Sequence, residues 1–292
     1  MKILSYGSIN IDLVYQVPHI VRPGETISSS DSTRFAGGKG ANQSVALAKA
    51  GAEVWHAGKI GEDGLWLKDK LETYGVKSEL IKSYQGPTGQ AIIQVTSDAE
   101  NSIILLGGGN QKITKKEIDE TLSYFEKGDY LVLQNEINLI PEIIKAAKDK
   151  EMNICLNPAP FSESICSWPL DLVDILIVNE LEAEGLSGIS GSFDEILNEL
   201  TMKYPDTDIV MTLGEKGANY GRNELREHVP ITKTKAVDTT AAGDTFLGYY
   251  LASLISGYKV KEAMERASKA SSITVSRVGA MDSIPRVEEL QF

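Results

Sequence analysis

The chain has 292 residues, 42% hydrophobic and 24% charged, enough to bury a sizeable core without disulfide or metal staples. Its formal net charge of −12 repels phosphate backbones and anionic lipid, which argues against nucleic acid and membrane as partners. Small anionic ligands stay open, because local backbone dipoles override a global field.

Cys155 and Cys166 give no disulfide framework, and their apolar neighbours read as core or near-core thiols. His19, His56 and His228 are scattered and make no metal motif, so each reads as structural or surface. The N-terminus opens on a strand-like "KILSYG" without a signal-peptide pattern, and no apolar run approaches the ~20 residues that span a bilayer. A cytoplasmic location is expected.

In chain order, short apolar runs at 2–7, 54–61, 130–135, 153–157, 175–179 and 208–214 predict strands. Periodic stretches between them predict helices, among them "GANQSVALAKAGA", "LIPEIIKAAKDK" and "SFDEILNELTMKYP", and a further helix is expected over 245–257. Continuous apolar strands alternating with amphipathic helices predict a doubly wound, mostly parallel α/β sheet covered on both faces, in one domain over 1–292. Two β-rich stretches, 24–35 and 88–110, break the rhythm, the second with a hairpin-like centre at "SDAEN". They predict a small antiparallel β lid formed by insertions at about 13–36 and 88–110.

Polar residues follow the apolar runs: Asn10 and Asp12, Asn135 and Glu136, Asn157, Asn179 and Glu182, Thr212 and Gly214. In an open parallel sheet, ligands bind outside the carboxyl ends of the strands, so these converge on one edge; helix capping alone would supply part of the pattern. Asn10 and Asp12, two apart, point to one side of an extended chain and suit a polyol, or form an Asx-turn. In "FAGGKGANQSVALA", Gly37, Gly38 and Gly40 permit close backbone approach to a ligand, or simply a tight loop. It is not a P-loop, because Gly40 rather than Ser or Thr follows Lys39, and no G-x-G-x-x-G occurs to mark a dinucleotide site. Asn179 and Glu182, three apart at a helix start, fit either a hydrated Mg²⁺ or a capping box. "TLGEKGA" reads as a turn touching a nucleotide or as a hairpin entry. Lastly, in "VDTTAAGDTF" Ala241, Ala242 and Gly243 present bare amides at a helix start, a cradle for phosphate, with Asp244 at its mouth as a base. The plainer reading makes Gly243 a turn glycine and Asp244 an N-cap.

In this order and spacing, "GSINID", "GGKGANQ", "NPAP", "NELEAE", "TLGEKG" and "DTTAAGDTF" resemble the ribokinase-like carbohydrate kinase family, from about residue 3 to residue 286. The resemblance implies an ATP-dependent sugar kinase that uses Mg²⁺, is activated by K⁺ and dimerises through its lid. It implies sugar contacts at Asn10, Asp12, Gly38, Lys39, Gly40, Asn42 and Glu136. It makes Asp244 the catalytic base and Ala241, Ala242 and Gly243 the anion hole. Asn179, Thr212, Gly214, Gly217 and Gly243 fall on the nucleotide side, Ser268 stands where a His or Asn against adenine is familiar, and Glu182 lies near Mg²⁺ and phosphate. Asp238, Thr240, Thr274, Arg277, Gly279 and Ser283 match a monovalent-cation loop, mostly through backbone carbonyls. "GGGN" at 107–110 departs from the pattern, with Gly108 and Gly109 where an Ala-Gly pair is familiar. The implied reaction moves the ATP γ-phosphoryl group to the primary hydroxyl of a pentose, D-ribose first. Deoxyribose, a ketohexose or a nucleoside are alternative acceptors, and a non-catalytic sugar-binding regulator is the alternative of another class.

Overall fold

The computed structural model describes residues 1–98 and 100–290. In chain order the elements are β1 (Ile3–Tyr6), β2 (Asn10–Gln16), β3 (Asp31–Gly37), α1 (Lys39–Lys49), β4 (Val54–Ile60), α2 (Leu65–Thr73), β5 (Lys77–Ser83), β6 (Gly89–Val95) and β7 (Asn101–Leu106). Next come α3 (Lys115–Leu122), β8 (Tyr130–Gln134), α4 (Ile140–Asp149), β9 (Asn153–Asn157), β10 (Ile175–Asn179), α5 (Glu180–Ser187), α6 (Phe193–Lys203) and β11 (Asp208–Thr212). The chain closes with β12 (Ala218–Arg222), β13 (Leu225–Val229), α7 (Ala242–Ile255) and α8 (Val260–Val275).

The large sheet runs β13-β12-β11-β10-β9-β8-β1-β4-β5. It is parallel from β11 to β5, with β12 and β13 antiparallel at one edge. Strand side chains alternate between faces, and each face has its own core. Ile3, Val132 and Val210 pack toward α1, α7 and α8, whereas Leu4, Leu131, Leu133, Ile209 and Met211 pack on the other face with residues of α3, α4, α5 and α6. This is why the central strands are continuously apolar. The sheet's outer strands did not stand out in the sequence: β5 reads "KSELIKS" and β13 "LREHV", with the charges expected of edges that face water.

A second sheet of four strands, β3-β2-β6-β7, forms the lid. Two antiparallel pairs, β2–β3 and β6–β7, are joined by a parallel β2–β6 pair. Asn10 and Asp12 therefore do not sit in a turn after β1; they begin the lid strand β2, opposite Gly37 and Phe35. Within 24–35, only the part from Asp31 is strand. The hairpin centre expected at 97–101 contains Ala99, which lies outside the described residues. Cys155 is buried as expected, but Cys166 is exposed. Among the described residues no helix is long and apolar enough to cross a membrane.

Helices α1 and α7 pack against each other through Gly248. A Cβ there would lie 2.4 Å from the Ala46 Cβ and 2.8 Å from the Ala46 carbonyl carbon. Ala in place of a mid-helix Gly gains up to about 1 kcal/mol of helix propensity. Overpacking costs about 1–3 kcal/mol, and here rigid backbone must yield. The packing term wins, so Gly248→Ala lowers the thermal midpoint; an unchanged or higher midpoint in a melting experiment would show that the two helices can separate freely.

Candidate active site

The C-terminal ends of β1, β8, β9, β10 and β11 lie side by side along the sheet, and the N-termini of α1 and α7 meet above them. The glycine-lysine loop is fixed first. Glu136, just beyond β8, accepts from the Ser8 hydroxyl and from the Lys39 amide (3.0 Å), and the Ser8 hydroxyl accepts from the Gly40 amide (3.2 Å). Gly38 has φ 94°, and a Cβ on it would lie 2.9 Å from the Ser8 carbonyl oxygen. One on Gly40 would lie 2.5 Å from the Ser8 nitrogen, and one on Gly37 would overlap the Asp12 carboxylate. The close approach expected of these glycines is thus made to the chain's own residues, which is the tight-loop reading.

Asp244 is 6% exposed, in the first turn of α7, which starts at Ala242 rather than 245. Its Oδ2 accepts from Asn42 Nδ2 and its Oδ1 from Gln43 Nε2, each at 3.0 Å. The expected N-cap role is not what it plays: Ala241 occupies that position in the left-handed region (φ 61°), and α7 has no side-chain cap. The first amides of α7 are left without intrahelical acceptors, and a Cβ at Gly243 would meet open space. The Ala242 amide donates to the Thr239 carbonyl (3.3 Å), and the amides of Gly243 and Asp244 stand at the open helix end, a geometry that suits an anion. The charge of Asp244, ahead of Glu136 and Glu182, outweighs burial and raises the pKa of Lys39. Burial pushes Glu136 up despite its Ser8 and Lys39 partners. Burial, then the charge of Glu136, pushes Asp12 up to about 6. Asn42 Oδ1 is buried and has no partner among the described residues, an acceptor suited to a ligand hydroxyl.

Asn179 and Glu182 form the capping box of α5: the Glu182 amide donates to Asn179 Oδ1 (2.9 Å), and the Asn179 amide donates to Glu182 Oε2 (2.9 Å). Burial raises the pKa of Glu182. Among the described residues no group of three or more acidic, His or Cys side chains could hold a metal. A lone carboxylate fits Mg²⁺ that is carried mostly by substrate phosphates and water, not by a protein cage. Thr212 donates to the Val178 carbonyl (3.3 Å), and Gly214 and Gly217 (φ 91°) shape the β11–β12 connection. A Cβ at Gly217 would strike the Val229 carbonyl oxygen at 2.1 Å, so this stretch does enter a hairpin. Ser268 is set apart in α8, donating to the Pro230 carbonyl (3.4 Å) and accepting from the Thr232 amide (3.3 Å).

The implied cation loop is assembled in part. Asp238 accepts the amides of Thr240 and Gly279, both at 2.9 Å, which ties the approach to the cradle to the segment after α8. Thr274 and Thr245 hydroxyls pair at 3.1 Å beneath the first turn of α7, and Ser283 donates to the Ala280 carbonyl (2.7 Å). Arg277 turns away to Glu289 (2.6 Å). One carboxylate among loop carbonyls and hydroxyls is a hard oxygen set that fits a monovalent cation.

Sequence reasoning missed residues whose role is to hold others. Asn110 accepts from the Ile9 amide (3.0 Å) and donates to Asn10 Oδ1 (2.7 Å), clamping the start of β2. Gln43 and Gln134 stand behind Asp244. Gln43 lay inside a quoted motif, one residue past Asn42 on a helix's first turn, but nothing local tied Asn110 to a partner a hundred residues away.

A family model described as pfkB family carbohydrate kinase matches residues 1–287. The ribokinase of Staphylococcus aureus (strain COL) is 35% identical over 99% of this chain and 98% of its own length. Among solved structures, the ribokinase of Cryptococcus neoformans in complex with ADP aligns with TM-score 0.87 and 35% identity, covering 99% of this chain and 98% of that one. The ribokinase of Arabidopsis thaliana complexed with ribose and ATP aligns with TM-score 0.86 and 28% identity, covering 98% and 96%. Matched by the family model over residues 1–287 and by such relatives over nearly its whole length, the chain belongs to the pfkB family of carbohydrate kinases.

Proposed function

We propose that the chain, as one domain, transfers the γ-phosphoryl group of ATP to the primary hydroxyl of D-ribose, giving ribose 5-phosphate and ADP. The observation that carries this reading is the buried Asp244 carboxylate, set at an uncapped helix N-terminus by amides from α1 and within Coulombic reach of Lys39. The relatives solved with ADP and with ribose and ATP support that pair of substrates.

Asn10 and Asp12 share one face of β2 and take sugar hydroxyls, joined by Asn42 and Glu136. The amides of Lys39 and Gly40 are spent on Glu136 and Ser8, so the loop of Gly38, Lys39 and Gly40 contributes its shape and the Lys39 side chain. Asp244 accepts the proton of the primary hydroxyl as that oxygen bonds to the γ-phosphorus. The bond from γ-phosphorus to the bridging oxygen breaks, and ADP leaves with that electron pair. Charge on the transferring group meets the amides of Gly243 and Asp244, at the helix start formed with Ala241 and Ala242, and the Lys39 ammonium. A loose transition state asks mostly for this kind of placement.

Asn179, Thr212, Gly214 and Gly217 line the nucleotide side, with Ser268 toward the base. Mg²⁺ bound with ATP would neutralise phosphate charge, with Glu182 as the protein carboxylate near it. K⁺ would sit among Asp238, Thr240, Thr274, Arg277, Gly279 and Ser283 and order the cradle. The lid exposes apolar side chains on both outer strands, Phe35 on β3 and Ile103 (52%), Ile104 (59%) and Leu105 (61%) on β7, which supports a homodimer formed through the lid.

Asp244→Asn removes the proton acceptor while keeping shape. Turnover is expected to fall by about 10³-fold or more with ribose binding nearly intact, read by ADP release and by calorimetry. Near-normal turnover sinks the base assignment.

Ionised Asp12 accepts hydrogen bonds from sugar hydroxyls on both oxygens, protonation turns one of them into a donor, and its pKa is pushed up to about 6. Ribose affinity therefore holds at pH 7 and weakens as pH falls through about 6, approaching tenfold one unit below. Binding titrations at pH 5 and 7 check this, and Asp12→Asn should flatten most of the dependence. Replacing K⁺ by tetramethylammonium at equal ionic strength should slow turnover several-fold, because the larger ion cannot enter an oxygen cage; equal rates would discard the cation loop.

A further inference from the structure

We propose that Gln43 is a positioning residue for phosphoryl transfer, aiming the Asp244 carboxylate through an amide relay that is anchored at Glu182. The proposal rests on the reading of Asp244 as the base.

The relay has one possible direction. Asn157 Nδ2 lies between two acceptors, the Ile177 carbonyl (2.9 Å) and Glu182 Oε2 (3.4 Å), so both its protons point there. Its Oδ1 must then face the other way, toward Gln43 Nε2 at 3.2 Å. Gln43 Nε2 in turn lies between two acceptors, Asn157 Oδ1 and Asp244 Oδ1 (3.0 Å), and both its protons are used. Gln43 Oε1 accepts from Gln134 Nε2 at 2.7 Å. Turning either amide over would set oxygen against oxygen in a buried place, which costs the full desolvation of an unpaired group. Gln43 and Gln134 are both fully buried, so water cannot substitute for a lost partner.

Asp244 could have spent its carboxylate on the amides of its own helix, as acidic residues in a first turn commonly do. Instead both oxygens are drawn to α1, one by Asn42 and one by Gln43. Asn42 lies on the sugar side and keeps an unpartnered oxygen for a hydroxyl. Gln43 has no group left for substrate; every polar atom it owns is committed to holding Asp244 or to being held. Its contribution is therefore geometric. It fixes the plane of the carboxylate, and each oxygen keeps a second lone pair for the incoming proton. Precision of this kind matters because small misplacements of a reacting group are expensive.

The test compares Gln43→Met, Gln43→Glu, Gln134→Met and Asp244→Asn, each checked for folding by circular dichroism and melting. Gln43→Met removes the donor without adding charge and should lower kcat about tenfold with the ribose KM within about threefold. Gln43→Glu puts a carboxylate oxygen against Asp244 and should lower kcat by about 100-fold and move the acid limb of the kcat–pH profile to higher pH, since neighbouring carboxylates share a site poorly. A merely structural role would lower the melting point without moving that limb. The proposal is overturned if Asp244→Asn is inactive while both Gln43 variants keep kcat within about twofold and the limb in place. If Asp244→Asn is itself active, the base reading falls and the relay with it. Should the Gln43 variants fail to fold, Gln134→Met decides, because it touches Gln43 and not Asp244: a few-fold loss of kcat at constant KM supports the relay, and an unchanged kcat overturns it.

Discussion

One buried carboxylate organises this molecule. Asp244 is nearly inaccessible, and a carboxylate taken from water is tolerable only with donors on both oxygens and positive charge close by. Asn42 and Gln43 supply the donors, Lys39 supplies the charge, and all three stand on the first turn of α1. The N-termini of α1 and α7 must therefore meet, and the sheet has to bring them together. The parallel order does this by placing β1 next to β8, so that Ser8 and Glu136 grip the loop that leads into α1. Gly248 lets α7 lie directly on α1. Removing any of these would leave the carboxylate short of a partner.

The lid is joined to this arrangement by few but well-defined contacts. Asn110 bonds the Ile9 amide and the Asn10 side chain where the chain passes from β1 into β2. Because Asn10 Oδ1 is consumed there, its Nδ2 is the group left for a sugar hydroxyl in the proposed reaction. Next to it Asp12 presents an acceptor, and Gly37 opposite makes room for that carboxylate. A donor and an acceptor, two residues apart on one strand, match adjacent hydroxyls of a sugar ring. In the proposed reaction the lid thus contributes chemistry as well as cover, through side chains held by Asn110 and seated against Gly37.

The fold was legible because its central strands are buried on both faces. "YLVLQ" and "ILIVN" permit little else, and both are strands almost to the expected residue. The outer strands β5 and β13 were not legible, since an edge half-exposed to water carries the charges of a loop. Within the site, spacing alone left Asn179 and Glu182 between metal and cap; the hydrogen bonds make them a capping box, which does not remove the carboxylate from the cleft. The glycines of "GGKG" left open whether the close approach is to a ligand or within a tight loop, and their missing Cβ atoms are filled by Ser8, Gly7 and Asp12. A one-dimensional reading sees that backbone must come close, but not to what. Asn110 and Gln134 escaped for a related reason: positioning residues are defined by partners far off in sequence, and neither the glycines before Asn110 nor the strand before Gln134 names that partner.

The same comparison explains why a glycine-lysine loop here is not a nucleotide loop. In a P-loop the amides of the glycine-rich turn point at phosphate. In this chain the amides of Lys39 and Gly40 are turned inward onto Glu136 and Ser8, so the loop has little left for an anion except a side chain. The anion site moves to the other helix, where Ala241 in the left-handed region breaks the chain's approach and leaves the first turn of α7 uncapped. That division of labour separates the group that shapes the acceptor side from the amides that meet the transferring charge. It also puts Asp244, the base of the proposed reaction, in both: its backbone belongs to the first turn of α7 and its side chain to the network from α1. In the proposed reaction an attacking hydroxyl and an incoming phosphoryl group would therefore be positioned against the same residue, which is the shortest mechanical path by which a structure of this kind can align the two.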